Sequence, residues 1–493
     1  MQKINSFVKR TGLFLFAAAF ASTASAQFLR TSYTQDVPYA MQMNPAMVPS
    51  HGYFSPILGP FSATMQTNAF GTQDIQDMFD KGGDYYKTND FLDKLKDENK
   101  LNLNMAWDQI AFGWFSGENF FSFSTGTRIE MGATLPKSLF TMMRDFNGVE
   151  DLDWTNGGKG LNWDLGGEKL NALIYQEVAI GMTRKITDKL TIGAKAKVLL
   201  GAANFDFEIS KGNVSTPSGI DVEKIKQIQE GSSNIDWSKF TSEDYKKYAD
   251  LVAIRSNIKG ESKIELQGTM KAAMGGLEWK HNSDGLINGA KMNGFKVAGY
   301  GLGLDLGATY EVMDNLKVTA AVTDLGFISW SKDNVQEVTI GVDDSFNLNM
   351  GDDTDLFKFA EKVTSNEVVS YDMLKMQEKD GDAYTTSLYT TIAVGGQYTL
   401  LDDKLVLGAL YTGRMAKPKT ISEITLSGAY NLSAWANIAL SYSMIQSAGK
   451  SFGLGVKLGP LYLGTDYMFY GNSSKCVNFL AGLSVPLGKG KSF

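Results

Sequence analysis

The ten residues WANIALSYSM, 435–444, alternate between apolar and small polar side chains. One face would carry Ile438, Leu440, Tyr442 and Met444, and the other would carry Asn437, Ala439, Ser441 and Ser443. A period of two predicts a half-buried β-strand. The same pattern recurs from Thr420 to Phe493, interrupted by Gly, Asn, Ser and Pro residues that favour turns. The C-terminal part is therefore predicted to be an antiparallel meander of five strands.

The two faces of this meander differ in a way that indicates a membrane protein. The polar face is mostly Gly, Ser, Thr and Asn, with a single charge on several strands, such as Glu423, Lys457 or Asp466. A soluble barrel would carry frequent charges on its outer face, whereas an apolar outer face and a small polar inner face suit lipid outside and a wet lumen inside. No apolar run reaches the roughly 18 residues that a membrane-spanning helix needs. The sequence therefore predicts an all-β, closed, antiparallel transmembrane β-barrel.

About fourteen strands are predicted, within a range of twelve to sixteen. Short turns are expected at the periplasmic end and long loops at the extracellular end. This arrangement is consistent only if 264–279 and 335–348 lie outside the membrane wall. The predicted loops are 68–103, 132–173, 209–295 and 332–383. The predicted strands begin at Ile57, Asn104, Asn119, Tyr175, Leu190, Tyr300, Leu316, Tyr384, Leu405, Ile421, Trp435, Ser451, Leu461 and Cys476.

The N-terminus predicts export. Residues 1–26 combine a basic start, a short apolar run and the small residues 24–26, which is typical of a cleaved signal peptide. A segment at 27–52 follows, and the barrel is predicted over 53–493. Two interpretations of 27–52 remain open, a leader packed against the barrel end or a plug inside the lumen. The expected location is the outer membrane of a Gram-negative cell, in contact with its lipid.

Several charged residues lie at positions where the alternation directs side chains to the lumen. On the lipid face a lysine near the membrane centre would cost about 2 to 4 kcal/mol. The signs are mixed, so one interpretation is an internal salt-bridge network that keeps a narrow lumen folded. The other is a polar path or binding cavity. The candidate lumen residues are Glu177, Lys195, Lys197, Asp305, Lys317, Glu423, Lys457 and Asp466.

Catalysis is not predicted. The chain has only two histidines, His51 and His281, and hydrolytic chemistry needs an activated nucleophile or water. The aspartates at 151–153 and 352–355 do not follow the calcium-loop pattern, so no metal or cofactor is predicted. The single cysteine, Cys476, cannot form an internal disulfide. The net charge of −7 includes no basic block, which argues against a nucleic-acid partner.

Several motifs resemble an uncharacterised family of Bacteroidota outer-membrane proteins. The motifs are LRTSY (29–33), QMNPA (42–46) with Gly52-Tyr53, GLDLGA (303–308), DLGF (324–327) before Trp330, and LGPLY (458–462) with Asp466. The resemblance covers essentially the whole mature chain and implies a barrel but no activity. More distantly, Asn44-Pro45-Ala46 ahead of about fourteen strands is similar to FadL-like long-chain fatty-acid transporters and to PorV-like barrels of a secretion system. The FadL-like resemblance implies an N-terminal hatch, but no ligand-binding residue is carried over from it. Asn44, Pro45 and Ala46 join the candidate ligand or lumen-lining residues as the motif of this segment.

The favoured function is binding or transport of a hydrophobic or amphipathic small molecule across the outer membrane. Methionines at 41, 43 and 47 would supply an apolar lining near the mouth of the lumen. The alternative is a surface scaffold that does not transport but holds secreted or surface protein partners through its loops. An open porin is less favoured, because a selective pore is expected to show a ring of charges of one sign.

Overall fold

The computed structural model describes most of the chain from Leu29 to Gly488. The described residues are 29–56, 59–71, 73–74, 77, 85, 88–145, 159–218, 221, 223–224, 227, 230–231, 241–257, 259–349, 375–433, 435–445, 451–467 and 475–488. The expected signal peptide, residues 1–26, and the aspartates at 151–153 and 352–355 lie outside them.

Twenty-two strands and a few short helices make up the described residues. Before the first strand come two 3-10 helices, Arg30–Thr34 and Pro38–Gln42. The strands are β1 (Gly52–Ser55), β2 (Phe61–Thr67), β3 (Glu98–Ser116), β4 (Asn119–Pro136), β5 (Asn162–Asp164), β6 (Glu168–Lys185), β7 (Leu190–Ser218), β8 (Lys259–His281), β9 (Ile287–Lys296), β10 (Gly299–Met313), β11 (Leu316–Trp330), β12 (Val335–Asn349), β13 (Gln377–Asp380), β14 (Tyr384–Ser387), β15 (Thr391–Leu400), β16 (Leu405–Arg414), β17 (Ile421–Ser433), β18 (Ala436–Ile445), β19 (Ser451–Leu458), β20 (Leu461–Thr465), β21 (Cys476–Leu483) and β22 (Val485–Leu487). The α-helices are α1 (Asn89–Leu92), α2 (Lys137–Asp145), α3 (Ser242–Lys247) and α4 (Ala249–Ser256), and a 3-10 turn covers Lys332–Asn334.

The strands close into one antiparallel barrel with fourteen wall positions, which confirms the predicted fold and strand number. β1 and β2 together form the first position, β14 and β15 the eighth, and β21 and β22 the last. Closure occurs where β1 pairs with β22 and β2 pairs with β21. Because these pairs close the ring, the first and last wall positions are joined and neither forms a free sheet edge.

The segments 264–279 and 335–348, which were expected to lie outside the membrane wall, do lie outside it. β7 pairs with β10 only as far as Gly201, and its distal half pairs with β8 instead. β8 pairs in turn with β12, which carries the short β13. These strands, with β5 and β9, form a sheet that projects beyond the barrel. We call this end of the barrel the loop end, and the end with the short connections, such as that at Gly117, the turn end.

The projecting sheet has apolar clusters of its own. One contains Met142 of α2, Trp163 of β5 and Ile264 of β8, and another contains Ile209, Ile287 and Val338. The long loops therefore contain folded structure as well as connections.

The predicted first strand, 57–67, differs from the observed one. The wall position is split into β1 and β2, with Pro56, Gly59 and Pro60 between them. Proline lacks an N–H and cannot donate to a ladder, so this stretch interrupts the strand.

Large apolar side chains cover the outside of the wall. Examples are Tyr300 and Leu302 on β10, Val394 on β15 and Leu440 on β18, which are each at least half exposed. A contiguous apolar outer band of this kind is the surface that a transmembrane barrel presents to lipid. Among the described residues, no helix is long and apolar enough to cross a membrane.

Candidate functional site

The segment 29–50 lies inside the barrel and fills its turn-end half; we call it the plug. Leu29 and Tyr33 are almost completely buried. Tyr33 Oη lies 2.9 Å from Thr319 Oγ1 of β11, and on another side of the lumen Gln35 Nε2 donates to Asn437 Oδ1 of β18 at 2.6 Å. The plug therefore contacts the wall on several sides.

Inward glycines of the wall form the seat of the plug. A Cβ atom added at any of eight glycines would come within 2.6 Å of a plug atom, closer than real Cβ contacts allow. At Gly193 the added Cβ would meet the plug backbone at Pro45 and Ala46, whereas at most of the others it would meet side-chain atoms of the plug. Glycine thus lets the wall and the plug pack closely. The eight are Gly193, Gly307, Gly395, Gly408, Gly453, Gly455, Gly464 and Gly482.

Arg30 fixes the start of the plug through a buried ion cluster. Its guanidinium contacts the carboxylate of Glu423 and lies 3.3 Å from Asp466 Oδ2, and all three side chains are at most 2% exposed. Asp466 also accepts hydrogen bonds from the backbone N–H groups of Arg30 (3.0 Å) and Thr31 (2.8 Å). Tyr467 Oη donates to Glu423 Oε1 at 2.6 Å. Hydrogen bonds to charged groups are the stronger ones, so this end of the plug is firmly held.

Asn44, Pro45 and Ala46 form a second anchor near the turn end. Asn44 Nδ2 donates to the carbonyl oxygens of Ala308 (3.1 Å) and Ala320 (3.3 Å), and Thr183 Oγ1 donates to the carbonyl oxygen of Pro45 at 2.7 Å. Asn44 Oδ1 accepts from the N–H of Ala46 at 2.8 Å, which folds the tripeptide into a compact turn. The motif therefore bonds to the barrel wall and within itself, and backbone hydrogen bonds of Asn44 with Ala40 and Met47 join it to the rest of the plug.

Beyond the plug, charged side chains form a layer across the lumen, which we call the ion layer. Lys197 Nζ lies 2.7 Å from Asp305 Oδ1, 2.6 Å from Asp324 Oδ1 and 3.6 Å from Glu177 Oε2. Arg128 links Glu177 (3.3 Å) to Asp108 (2.7 Å). Arg414 pairs with Glu130 at 2.7 Å in the same layer.

Five of the residues that build these clusters were not among the predicted lumen residues, and Arg30 of the plug was not singled out either. Asp108 and Asp324 lie at register shifts of β3 and β11, where strict alternation fails. The other three are Arg128, Glu130 and Arg414. Alternation could have identified these three as lumen residues, because each lies on the same face as inward-pointing neighbours of its own strand.

The structure places the remaining predicted lumen residues differently. Lys195 lines a small cavity beside the plug, and its ammonium has no hydrogen bond or ion pair with a described residue. Lys317 sits near the turn end, 38% exposed and 3.7 Å from Glu311. Lys457 Nζ donates to the carbonyl oxygen of Asp36 in the plug at 2.9 Å. Neither Lys317 nor Lys457 contacts the ion layer.

The loop end of the lumen is closed by a cap of apolar and aromatic side chains. Trp330 is fully buried, and its Nε1 donates to Thr386 Oγ1 at 3.0 Å. Tyr384 Oη donates to Asn204 Oδ1 at 2.6 Å. Between β14 and β15 the chain turns inward at Leu388–Thr390, which brings Leu388 against the buried cluster around Trp330. Plug, ion layer and cap thus follow one another along the lumen, from the turn end to the loop end.

The hydrogen-bond ladder of the wall is interrupted between β2 and β3. β2 pairs with β21 from Phe61 to Gln66, but its described pairing with β3 is limited to Thr67 opposite Leu101. The next contact along this seam is the N–H of Asp108, which donates to the carbonyl oxygen of Pro60 at 3.1 Å. Six residues of β2 thus lie beside β3 without ladder bonds, and we call this stretch the seam.

A small cavity of about 20 Å³ lies next to the Pro60 end of the seam, between plug and wall. Tyr39 and Met41 of the plug line it together with Tyr53, Pro60 and Asp108. Ser55 also lines it, and the buried hydroxyls of Ser55 and Tyr39 have no hydrogen-bond partner among the described residues. Its volume suits about one water-sized group, and the unpartnered hydroxyls would bond to such a group. On the outer face at the same height, Trp107 and Ile110 are exposed to the lipid side.

The other candidate groups lie apart from the lumen or are buried in the wall. His51 Nδ1 lies 2.8 Å from Ser50 Oγ, and His281 Nε2 lies 3.0 Å from Glu378 Oε2 in the projecting sheet, at an open cleft of about 480 Å³. Cys476 is buried in β21. No cluster of three or more metal-ligating side chains occurs among the described residues.

Comparisons with solved structures return other barrels at low identity. The toluene transporter TbuX of Ralstonia pickettii is 13% identical, with 94% of this chain and 98% of that chain covered and a TM-score of 0.40. The toluene transporter TodX of P. putida is 10% identical, with 95% and 100% covered and a TM-score of 0.40. A Pseudomonas aeruginosa FadL homologue is 10% identical, with 94% and 99% covered and a TM-score of 0.37. Likeness at this level says nothing about a ligand.

Comparison with curated proteins gives no match. A family model does match, over residues 45–466, from the second anchor of the plug to Asp466 of the ion cluster around Arg30. Since this range is most of the chain and most of the barrel, the protein belongs to the family described as "Family of unknown function (DUF5723)".

Proposed function

We propose that this barrel lies in the outer membrane and passes a small hydrophobic or amphipathic molecule, with the seam as the opening through its wall. The observation that carries the proposal is the missing ladder between β2 and β3. Unpaired backbone groups in a membrane wall are costly unless they have other partners, so an interrupted ladder is an unusual feature. The small cavity beside the plug borders the Pro60 end of the seam, and an opening there would lead from the cavity to the lipid side.

The filled lumen supports the same proposal. An ion or a hydrophilic solute would need a continuous aqueous path, and the plug, the ion layer and the cap occupy that path. A hydrophobic molecule needs no aqueous path, because it can leave a cavity sideways into lipid. The exposed Trp107 and Ile110 beside the seam give such a molecule an apolar surface on the way.

A reversible disulfide cross-link across the seam, here called the seam staple, tests the proposal. The pairs Thr67–Leu101 and Pro60–Asp108 lie on either side of the interruption and share one antiparallel register. That register puts Thr64 opposite Asn104, and both side chains are buried. We expect the oxidised Thr64→Cys/Asn104→Cys variant to lose transfer of a hydrophobic fluorescent probe into liposomes, and the reduced variant to recover it.

The matched control is a staple in an intact part of the wall. Thr425 and Ser443 are paired on β17 and β18, with their hydroxyl oxygens 2.8 Å apart, close to disulfide geometry after replacement. The oxidised Thr425→Cys/Ser443→Cys variant should transfer the probe like the wild type. Equal transfer through the oxidised seam staple would contradict the proposed opening, and absence of transfer by the wild type would contradict the function.

A second candidate function rests on the projecting sheet. Its separate apolar clusters show that the loop end carries a folded platform, which suits a scaffold for protein partners. Deleting 209–295 should leave the barrel able to close, because β7 still pairs with β10 from Leu190 to Gly201. A scaffold would lose copurifying proteins on this deletion, whereas the transporter would keep its probe transfer.

A further inference from the structure

The ion layer has one carboxylate more than its cations can neutralise. Among the described residues the layer contains five carboxylates, those of Asp108, Glu130, Glu177, Asp305 and Asp324. Three cations form ion pairs with them, Arg128, Lys197 and Arg414. A fourth, Lys195, has no ion pair of its own but faces Asp305 and Glu177 from beside the plug. The phenols of Tyr175 and Tyr389 face the same groups and add no charge at neutral pH. An uncompensated charge away from bulk water is costly, so the surplus needs a partner.

The surplus is concentrated at one place. Asp305 and Asp324 approach the same ammonium of Lys197, at 2.7 and 2.6 Å, and the N–H of Asp324 donates to Asp305 Oδ1 at 2.8 Å. Lys197 also lies 3.6 Å from Glu177, which has Arg128 as a second partner, so Lys197 is the one cation in direct contact with both aspartates among the described residues. Two carboxylates that share a site do not both ionise readily, because each ionised group opposes the charge of the other.

We propose that Asp305 and Asp324 together bind one exchangeable proton at neutral pH, which makes the barrel lumen a proton-binding site. The proton belongs to the pair and not to either residue alone. Asp324 keeps 27% of its side chain exposed within the lumen, which gives the proton a route for exchange. With the proton bound, four negative charges face four positive ones.

The pair is connected to the inward turn of the cap. Thr390 Oγ1 donates to the carbonyl oxygen of Asp324 at 3.1 Å, and the N–H of Leu388 donates to the carbonyl oxygen of Gly326 at 2.9 Å. Asp324 itself has a left-handed backbone, with φ of 57° at a register shift of β11. Loss of the proton would leave a negative charge beneath this turn, and repulsion among the carboxylates would loosen it.

The sign of the pH dependence follows from proton counting. Unfolded aspartates release their protons above about pH 4, whereas the folded pair keeps one. The folded state therefore binds more protons, and its stability falls as pH rises until the pair is fully ionised.

Infrared spectroscopy of the protein in lipid nanodiscs, recorded between pH 5 and 9, tests the proposal. We expect one protonated-carboxyl band at neutral pH that disappears at higher pH and is absent from Asp324→Asn. Asparagine tolerates the left-handed backbone, so this variant should fold. Its melting temperature should vary less with pH than that of the wild type.

Control variants separate the other sources of such a band. Asp382→Asn removes an exposed carboxylate of the projecting sheet that pairs with Lys332, and it should keep the band. A band that survives in Asp324→Asn and Asp305→Asn but is lost in Glu423→Gln would overturn the assignment. A wild type without any band, whose stability depends on sodium or potassium when choline replaces them, would show that a metal ion neutralises the layer instead.

Discussion

Arg30 shows how much a single plug residue contributes, because it neutralises two buried carboxylates. Replacing it by Met would leave Glu423 and Asp466 without a cation, and removing one partner of a buried ion pair typically costs about 3 to 5 kcal/mol. We expect Arg30→Met to lower the free energy of unfolding by that amount in urea titrations of the folded protein in detergent. Lys317→Met is the control: Lys317 is 38% exposed beside Glu311, and such pairs contribute about 0 to 1 kcal/mol. Equal losses in the two variants would contradict the role of Arg30.

Adjacent glycines on β15 test whether the seat of the plug requires glycine. A Cβ on Gly395 would meet Tyr33 Oη of the plug at 2.5 Å and the carbonyl oxygen of Ala409 at 2.7 Å, whereas one on Gly396 would meet only the carbonyl oxygen of Lys317 at 3.7 Å. Overpacking of this kind costs about 1 to 3 kcal/mol. Gly395→Ala should unfold at lower temperature in a gel-shift assay, and Gly396→Ala should match the wild type. If Gly395→Ala unfolded at the wild-type temperature, Tyr33 of the plug would have to move aside at little cost.

At the residue scale, the sequence reveals the face of a side chain but not its partner. Alternation set Glu177 and Lys197 on one face, yet nothing in the spacing indicated that Arg128 would join Glu177 to Asp108. Those partners lie on different strands, and their meeting depends on the register of the whole wall. Arg30 lies in the LRTSY motif, but its segment is not periodic, so alternation gave neither its position nor its partners.

Among the elements, the loop between β2 and β3 depends on one buried carboxylate. Asp74 is buried, and burial raises its pKa; however, hydrogen bonds from the N–H of Gly71 and from Tyr85 Oη, both at 2.7 Å, and the ion pair with Lys94 bring its pKa below the ordinary value. A lowered carboxyl pKa stabilises the folded loop at neutral pH, and this contribution is lost as pH falls through that lowered pKa.

Limited proteolysis of this loop should therefore be pH-dependent. With an acid-active protease we expect slow cleavage at pH 5 and faster cleavage once the pH falls below about 4, the range in which aspartates protonate. Asp74→Asn should be cleaved quickly already at neutral pH, when assayed with a neutral protease. A matched control is Asp382→Asn, which lies in another part of the loop end. If Asp74→Asn resisted cleavage like the wild type, the carboxylate would not be what holds the loop.

The wall elements were predictable because strands and turns are local features. The number of strands and most of their starts follow from alternation and turn residues. The expectation that all short turns lie at one end of the barrel excluded β8 and β12 from the wall. The pairing of β8 with the distal half of β7 is non-local and has no counterpart in any short stretch of sequence. The seam was missed for a different reason, since Gly59 and Pro60 were included in a continuous strand that began at Ile57.

At the scale of the whole molecule, the lumen is filled in three layers. The plug occupies the turn-end half, the ion layer crosses the middle, and the cap around Trp330 closes the loop end. Each layer comes from a different physical source: close packing on glycine, ion pairing, and apolar burial. A barrel of this size would otherwise enclose space for solutes, and these three layers occupy much of that space.

The filled lumen predicts an electrically silent protein. In planar lipid bilayers we expect no stepwise conductance from the wild type at any applied voltage, because no layer leaves a continuous aqueous path. The same preparation should transfer a hydrophobic fluorescent probe into liposomes, which excludes the explanation that the protein failed to insert. A variant without residues 29–50, refolded and inserted in the same way, locates the seal. Conductance in this variant alone would assign the seal to the plug, and silence in both would mean that the ion layer and the cap suffice. Steady conductance by the wild type would contradict the filled lumen and restore the open-porin interpretation.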